Sequence, residues 1–98
     1  MFYYVYILES KKDHMHYTGY TNNLKRRLIE HMNGRSFATE CRAPFQLIYF
    51  EGCLNQEDAK RREVYLKTHQ GRKFLGLRLI AFNRANQSRL AQAVDILG

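Results

Sequence analysis

The chain contains no tryptophan, a single proline at Pro44, and only two cysteines. Cys41 and Cys53 lack the paired CxxC spacing of a zinc or redox site, which leaves a reduced protein with two incidental thiols as the simplest reading. No recognised ligand pattern joins His14 and His16 to those cysteines, so both histidines are read as loop residues. Long apolar runs are also missing. The opening MFYYVYILES stops at Glu9 and carries no basic region, which argues against a signal peptide or a membrane span and makes a soluble, cytoplasmic protein the expectation. Acidic residues are the scarce charge, 9 Asp and Glu against 16 Lys and Arg, for a net charge of +7. Such an excess favours an anionic partner, nucleic acid ahead of a membrane surface, although charge alone also serves solubility.

What is present fits one domain, residues 1–98, with a small core and neither repeats nor low-complexity linkers. Phe2 to Leu8 is dense in aromatic and β-branched residues and predicts a strand buried on both faces, with Phe2, Tyr4, Tyr6 and Leu8 on one side. Ser10 to Asp13 is a turn, and His16 to Tyr20 resumes as the second strand of an antiparallel hairpin. Gly19 shares a face with Tyr17 and lets another group approach the backbone closely. Thr21, Asn22 or Asn23 can cap a helix running to about Asn33, with Gly34 as its stop.

Arg35 to Pro44 reads as an exposed loop. Phe45 to Glu51 is a third strand, with Phe45, Leu47 and Tyr49 alternating against Gln46, Ile48 and Phe50. A second helix is expected from about Gln56 to His69, ended by Gly71, with Ala59, Glu63, Leu66 and Gln70 on one stripe. Phe74 to Phe82 suggests a short helix and Asn83 to Ser88 a polar break. Leu90, Ala93, Val94 and Leu97 then mark an amphipathic C-terminal helix over about 88–97. The order β-β-α-β-α-α implies an α+β fold, a small three-stranded antiparallel sheet flanked by helices.

Two helical stripes break their own pattern. Leu24, Arg27, Leu28 and His31 fall at i, i+3, i+4 and i+7, so an arginine and a histidine share the face of two core leucines. A cation turned inward needs a partner, either an internal carboxylate or the phosphate of a ligand. Glu63 interrupts the apolar stripe of the second helix in the same way, and on this helix alone an ordinary pair with Lys60 or Lys67 is the simpler explanation. Lys60, Arg61, Arg62, Lys67, Arg72, Lys73 and Arg78 concentrate much of the positive charge on one segment. Concentrated charge of this kind favours a binding surface.

Taken together, these positions resemble the GIY-YIG endonuclease family over roughly residues 2–80. Its first motif corresponds to Tyr4-Val5-Tyr6 and its second to Tyr17-Thr18-Gly19. The helix signature follows at Thr21, Asn23, Leu24, Arg27 and His31, and the helical glutamate is Glu63 within AKRREVYLK. Tyr4 stands where the family name has its first glycine, and Thr18 where it has isoleucine. Tyr20 occupies a position where some members carry lysine. The family's asparagine beyond the glutamate has no patterned counterpart, with Asn83 and Asn86 lying in that region.

The resemblance implies hydrolysis of DNA phosphodiesters with one divalent ion, Mg²⁺ or Mn²⁺, held by Glu63 largely through water. It assigns Tyr17 as general base or activated hydroxyl, Tyr6 as its helper in orienting water, Arg27 as the phosphate's cation, and His31 as part of the tyrosine network. A phenol, whose ordinary pKa is ~10, needs cations around it to act as a base at neutral pH, and arginine engages two phosphate oxygens at once. Taken alone, Tyr6 and Tyr17 would pass for core aromatics of a tyrosine-rich sheet.

Arg26, Arg35, Lys60, Arg61, Lys67, Arg72 and Lys73 are the expected nucleic-acid contacts, with DNA the partner and RNA an alternative. Without an appended binding module, affinity is expected to be weak and salt-sensitive, or to rely on a protein partner for targeting. Repair or branched intermediates are the expected substrates. A non-catalytic nucleic-acid-binding module with the same fold is the second reading, and a protein-interaction domain acting through the C-terminal helix the third.

Overall fold

The computed structural model describes residues 1–33 and 44–85. Tyr3–Ser10 forms strand β1, His16–Thr21 β2 and Phe45–Cys53 β3, and the three make one antiparallel sheet in the order β2-β1-β3. Helices α1 (Leu24–Met32), α2 (Gln56–Leu66) and α3 (His69–Arg78) complete the α+β architecture. By proximity the chain gathers into two compact units, Met1–Tyr65 and Leu66–Gly98.

Within the first unit, β1 is central because its residues are apolar on both sides. Val5, Tyr6, Ile7 and Leu8 are each at most 2% exposed. Tyr6, Leu8 and Phe45 form the core on one face, against Tyr17, Leu47 and the α1 leucines Leu24 and Leu28. The opposite face meets α2, where Ala59 and Arg62 lie beside Tyr3, Val5 and Glu51.

The third strand departs from simple alternation. Ile7 opposes Tyr49 while Leu8 opposes Leu47, so Ile48 is the extra residue of a β-bulge. Phe45 and Leu47 stay on the face of Tyr6 and Leu8, whereas Tyr49 turns to the other side with Ile7. Periodicity cannot register an inserted residue when both faces are apolar.

Asn23 is the N-cap of α1: its side chain accepts from the Arg26 amide at 3.1 Å, and Thr21 Oγ1 accepts from the Asn23 amide at 3.0 Å. The helix ends at Met32 with Asn33 as C-cap. The stretch from Gln56 to Gly71 is broken, where the sequence suggests one helix. Thr68 accepts from the Gly71 amide at 3.1 Å and starts α3, so Gly71 lies inside that helix and does not end the previous one. A hydroxyl that caps a new helix outweighs a glycine that merely permits a stop. Gln70 therefore leaves the stripe of Ala59 and Leu66. Residues 80–85 are helical again after a turn at Leu79, including the start of the expected polar break. Gly34, Arg35, most of the expected loop and the C-terminal helix lie outside the described residues.

Candidate active site

Tyr6 sits in mid-strand on β1, directly opposite Gly19 of β2. Its ring lies over that glycine. A Cβ at Gly19 would come within 2.8 Å of Tyr6 Cε2 and closer still to Cζ and the hydroxyl oxygen. The close approach that the glycine allows is thus made by the tyrosine of the neighbouring strand.

The Tyr6 hydroxyl meets His31 Nε2 at 2.9 Å. His31 is fully buried, with its ring 5.1 Å from Tyr17, 5.8 Å from Tyr6 and 6.3 Å from Phe45, centroid to centroid. Burial, and then the neighbouring Arg27 cation, holds the imidazole below its usual pKa. Burial pushes the Tyr6 phenol up to about 12, against a hydrogen bond from Arg27 that pulls it down. Arg27 hydrogen-bonds to Glu30 most strongly and also reaches the Tyr6 and Tyr17 hydroxyls. A guanidinium has donors only, so Tyr6 accepts from Arg27 and keeps its own proton for Nε2 of a neutral His31. The two phenols and the imidazole are thereby joined around one cation.

Arg27 has an internal partner that sequence reasoning missed. Its Nη1 lies 2.6 Å from Glu30 Oε2, an i,i+3 pair within α1. The sequence allows an internal carboxylate or a ligand phosphate in this place without singling out Glu30. The spacing is readable, since an acid three residues after an arginine faces it on a helix. Glu63 lies on α2, partly buried, and its negative charge is among the influences that raise the Tyr6 phenol. Tyr6, Tyr17, Arg27 and His31 are thus brought together directly, and Glu63 acts on the group through its field.

The other expected contacts each have surroundings of their own. Arg26 is exposed and 3.8 Å from Glu30, and Arg61 pairs with Asp58 at 3.1 Å. Lys60 stands over the Tyr20 ring at 5.8 Å. Arg62 binds Glu51 at 2.6 Å, so the basic segment has more acidic neighbours than Glu63 alone. Exposed pairs are weak and readily exchanged for a phosphate. Lys67, Arg72 and Lys73 are exposed in the second unit, and Arg35 lies outside the described residues. No helix among the described residues is long and apolar enough to cross a membrane.

Comparison with known proteins bears on this geometry. A family model described as the GIY-YIG catalytic domain matches residues 2–75. The UPF0213 protein CPE1444 of Clostridium perfringens is 46% identical over 65 residues, 65% of this chain and 69% of that protein. The UPF0213 protein OB0043 of Oceanobacillus iheyensis is 41% identical over 80 residues, 81% of this chain and 90% of its own length. The solution NMR structure of the UPF0213 protein BH0048 from Bacillus halodurans is 37% identical, covering 76% of this chain and 82% of that one, with a TM-score of 0.49.

Proposed function

Since this chain belongs to the GIY-YIG family, a family of nucleases, we propose that it is an endonuclease that hydrolyses DNA phosphodiester bonds with the help of one divalent metal ion. The observation that carries the reading is the cluster of Tyr6, Tyr17 and fully buried His31, the Tyr6 hydroxyl 2.9 Å from His31 Nε2 and the Tyr17 ring 5.1 Å from the imidazole, with the Arg27 cation acting on both phenols.

The two phenols divide the work. Tyr6, pushed up to about 12 and anchored to His31, keeps its proton at neutral pH and serves as a fixed donor and spacer. Tyr17 is the phenol we assign as base: as its phenolate, beside the Arg27 guanidinium, it takes a proton from water as the water oxygen bonds to phosphorus, and the leaving oxygen, as its bond to phosphorus breaks, is protonated from solvent. Arg27 turns part of its donor fork to a phosphate oxygen, where its charge is most valuable as negative charge builds in the transition state. His31 orients Tyr6 and contributes no charge of its own.

Glu63 is the ligand we assign to the metal. Among the described residues no group of three His, Cys, Asp or Glu side chains is arranged to hold an ion. Hydrated Mg²⁺ or Mn²⁺ fits one carboxylate, because Mg²⁺ keeps most of its water, whereas zinc takes three or four protein ligands. When bound, such an ion acidifies water and offsets phosphate charge.

The test is strand cleavage of duplex, gapped and branched DNA with Mg²⁺ or Mn²⁺; repair and branched intermediates are the substrates we propose. Glu63→Ala and Arg27→Ala are expected to lose at least about 100-fold in rate. Equal activity in both variants and the wild type overturns the assignment. The Arg27–Glu30 pair supports a second reading, a nucleic-acid-binding module without chemistry, since the guanidinium is already satisfied without a phosphate. Metal-independent binding with no cleavage on any substrate would favour it.

A further inference from the structure

Beside the tyrosine group, the same sheet face carries aromatic residues that the chemistry does not use. Tyr4 points to that face two residues before Tyr6, about 7 Å along the strand. Its ring is 6.3 Å from Phe2, tilted by 32°, and 6.3 Å from Phe50, edge-on at 62°. Phe2 is 49% exposed and Phe50 51%. Gly52 opposes Tyr4 and lies under its ring, where a Cβ would stand 3.1 Å from Cδ1 and Cε1. Tyr6 leans over Gly19 on β2 and Tyr4 over Gly52 on β3, so the two tyrosine rings spread to opposite sides of β1.

Next to Tyr4 is an open cleft of about 500 Å³, lined also by Asn22, Asn23, Leu24, Lys25 and Leu28. Lys25 carries the one charge among those residues, and it is positive. We propose that Phe2, Tyr4 and Phe50 form a stacking platform for an unpaired nucleobase, so that the chain takes single-stranded nucleic acid beside its phosphate site. The proposal rests on the nucleic-acid reading above and names the substrate class.

Three features select this occupant. Every base has a π-face that an exposed ring can stack on, and such stacking tolerates any sequence. The lysine and the asparagine amides at the cleft suit a backbone phosphate and base edges, and the net charge of +7 draws the strand in. Tyr4 of the platform and Tyr6 of the phosphate site lie two residues apart on β1, about 7 Å along the strand, so a chain of nucleotides seated on the rings passes beside that site. A base inside a duplex cannot reach the rings, because it is already stacked and paired.

The experiment is binding of fluorescent 12-nucleotide DNA and RNA single strands, and of a matched duplex, by the full chain in EDTA so that no strand is cut. Each strand is also made with a central run of abasic positions. Phe50→Ala and Phe2→Ala are expected to weaken single-strand binding about 5-fold or more. They should leave the abasic strand and the duplex unchanged. Phe50→Leu keeps the apolar surface and should show the same loss, and thermal unfolding of each variant confirms the fold. Equal binding by wild type and all three variants overturns the proposal. So does a self-associated wild type that Phe50→Ala renders monomeric without any change in strand binding, which would make the patch a contact between copies. Preference for the DNA or the RNA strand identifies the backbone. Because the assay contains no metal, stacking losses that persist in a chain without cleavage sink the nuclease reading alone. Cleavage by a chain whose platform variants bind normally sinks only the platform.

Discussion

Gly19→Ala tests the packing at the centre of the site. The new methyl carbon would lie within 2.8 Å of Tyr6 Cε2 and closer to two further ring-system atoms, and Tyr6 is only 1% exposed. The ring cannot swing freely, because its hydroxyl is tied to fully buried His31 at 2.9 Å. Overpacking of this kind costs about 1–3 kcal/mol. Loss of the buried hydrogen bond adds about 1 kcal/mol. Alanine recovers about 0.5–1 kcal/mol of the glycine's backbone entropy. The net expectation is a loss of about 1–3 kcal/mol, a fall in Tm of about 5–20 °C for a domain of this size.

A double-mutant cycle isolates the cause. Tyr6→Leu removes the ring atoms that collide, so on that background Gly19→Ala should cost almost nothing. Thermal and urea unfolding of the four proteins measure the coupling. Equal losses in both backgrounds would refute the claim that glycine is there to admit the Tyr6 ring.

Other outcomes follow from the same contacts. Gly52→Ala meets the partly buried Tyr4 ring at 3.1 Å, which can yield a few tenths of an ångström, so its unfolding free energy should stay within about 1 kcal/mol of wild type. Gly76→Ala, on α3 with nothing within 4 Å of the new carbon, should stabilise by about 0.5–1 kcal/mol in the same assay. His31 is held below its usual 6.5, so the unfolded chain binds its proton more readily. Its contribution is full above pH ~6.5 and is lost as pH falls through the folded value. Urea unfolding from pH 7.5 to 5 should therefore show wild type losing more stability than His31→Gln. Glu30→Gln should loosen Arg27, lowering the cleavage rate while metal-free DNA binding holds steady or tightens, which kcat measured apart from binding affinity resolves.

Much of this architecture was legible because its signals are local and agree with one another. An apolar run rich in aromatics marked β1 as a strand buried on both faces, and the Thr21–Asn23 cluster announced α1. Arg27 and His31 stood out because a helix face of leucines gives a cation no partner. The unreadable parts depend on tertiary or competing terms. Two apolar faces hide the Ile48 bulge, and the Thr68 cap outweighs the permissive Gly71. The Arg62–Glu51 pair joins residues eleven apart in sequence, on a strand and a helix, where spacing rules carry no information. Gly19 was readable as a point of close approach, but the identity of the approaching ring required the register of β1 against β2.

The central claim is that Tyr17 is the working phenol and Tyr6 its anchored neighbour, and Tyr17→Phe tests it most directly. The substitution removes one oxygen and keeps the ring against His31. With Mg²⁺ present and the fold verified by NMR, DNA cleavage by Tyr17→Phe should fall by about 10²–10⁴-fold, the range for loss of a general base. Cleavage at the wild-type rate would contradict it.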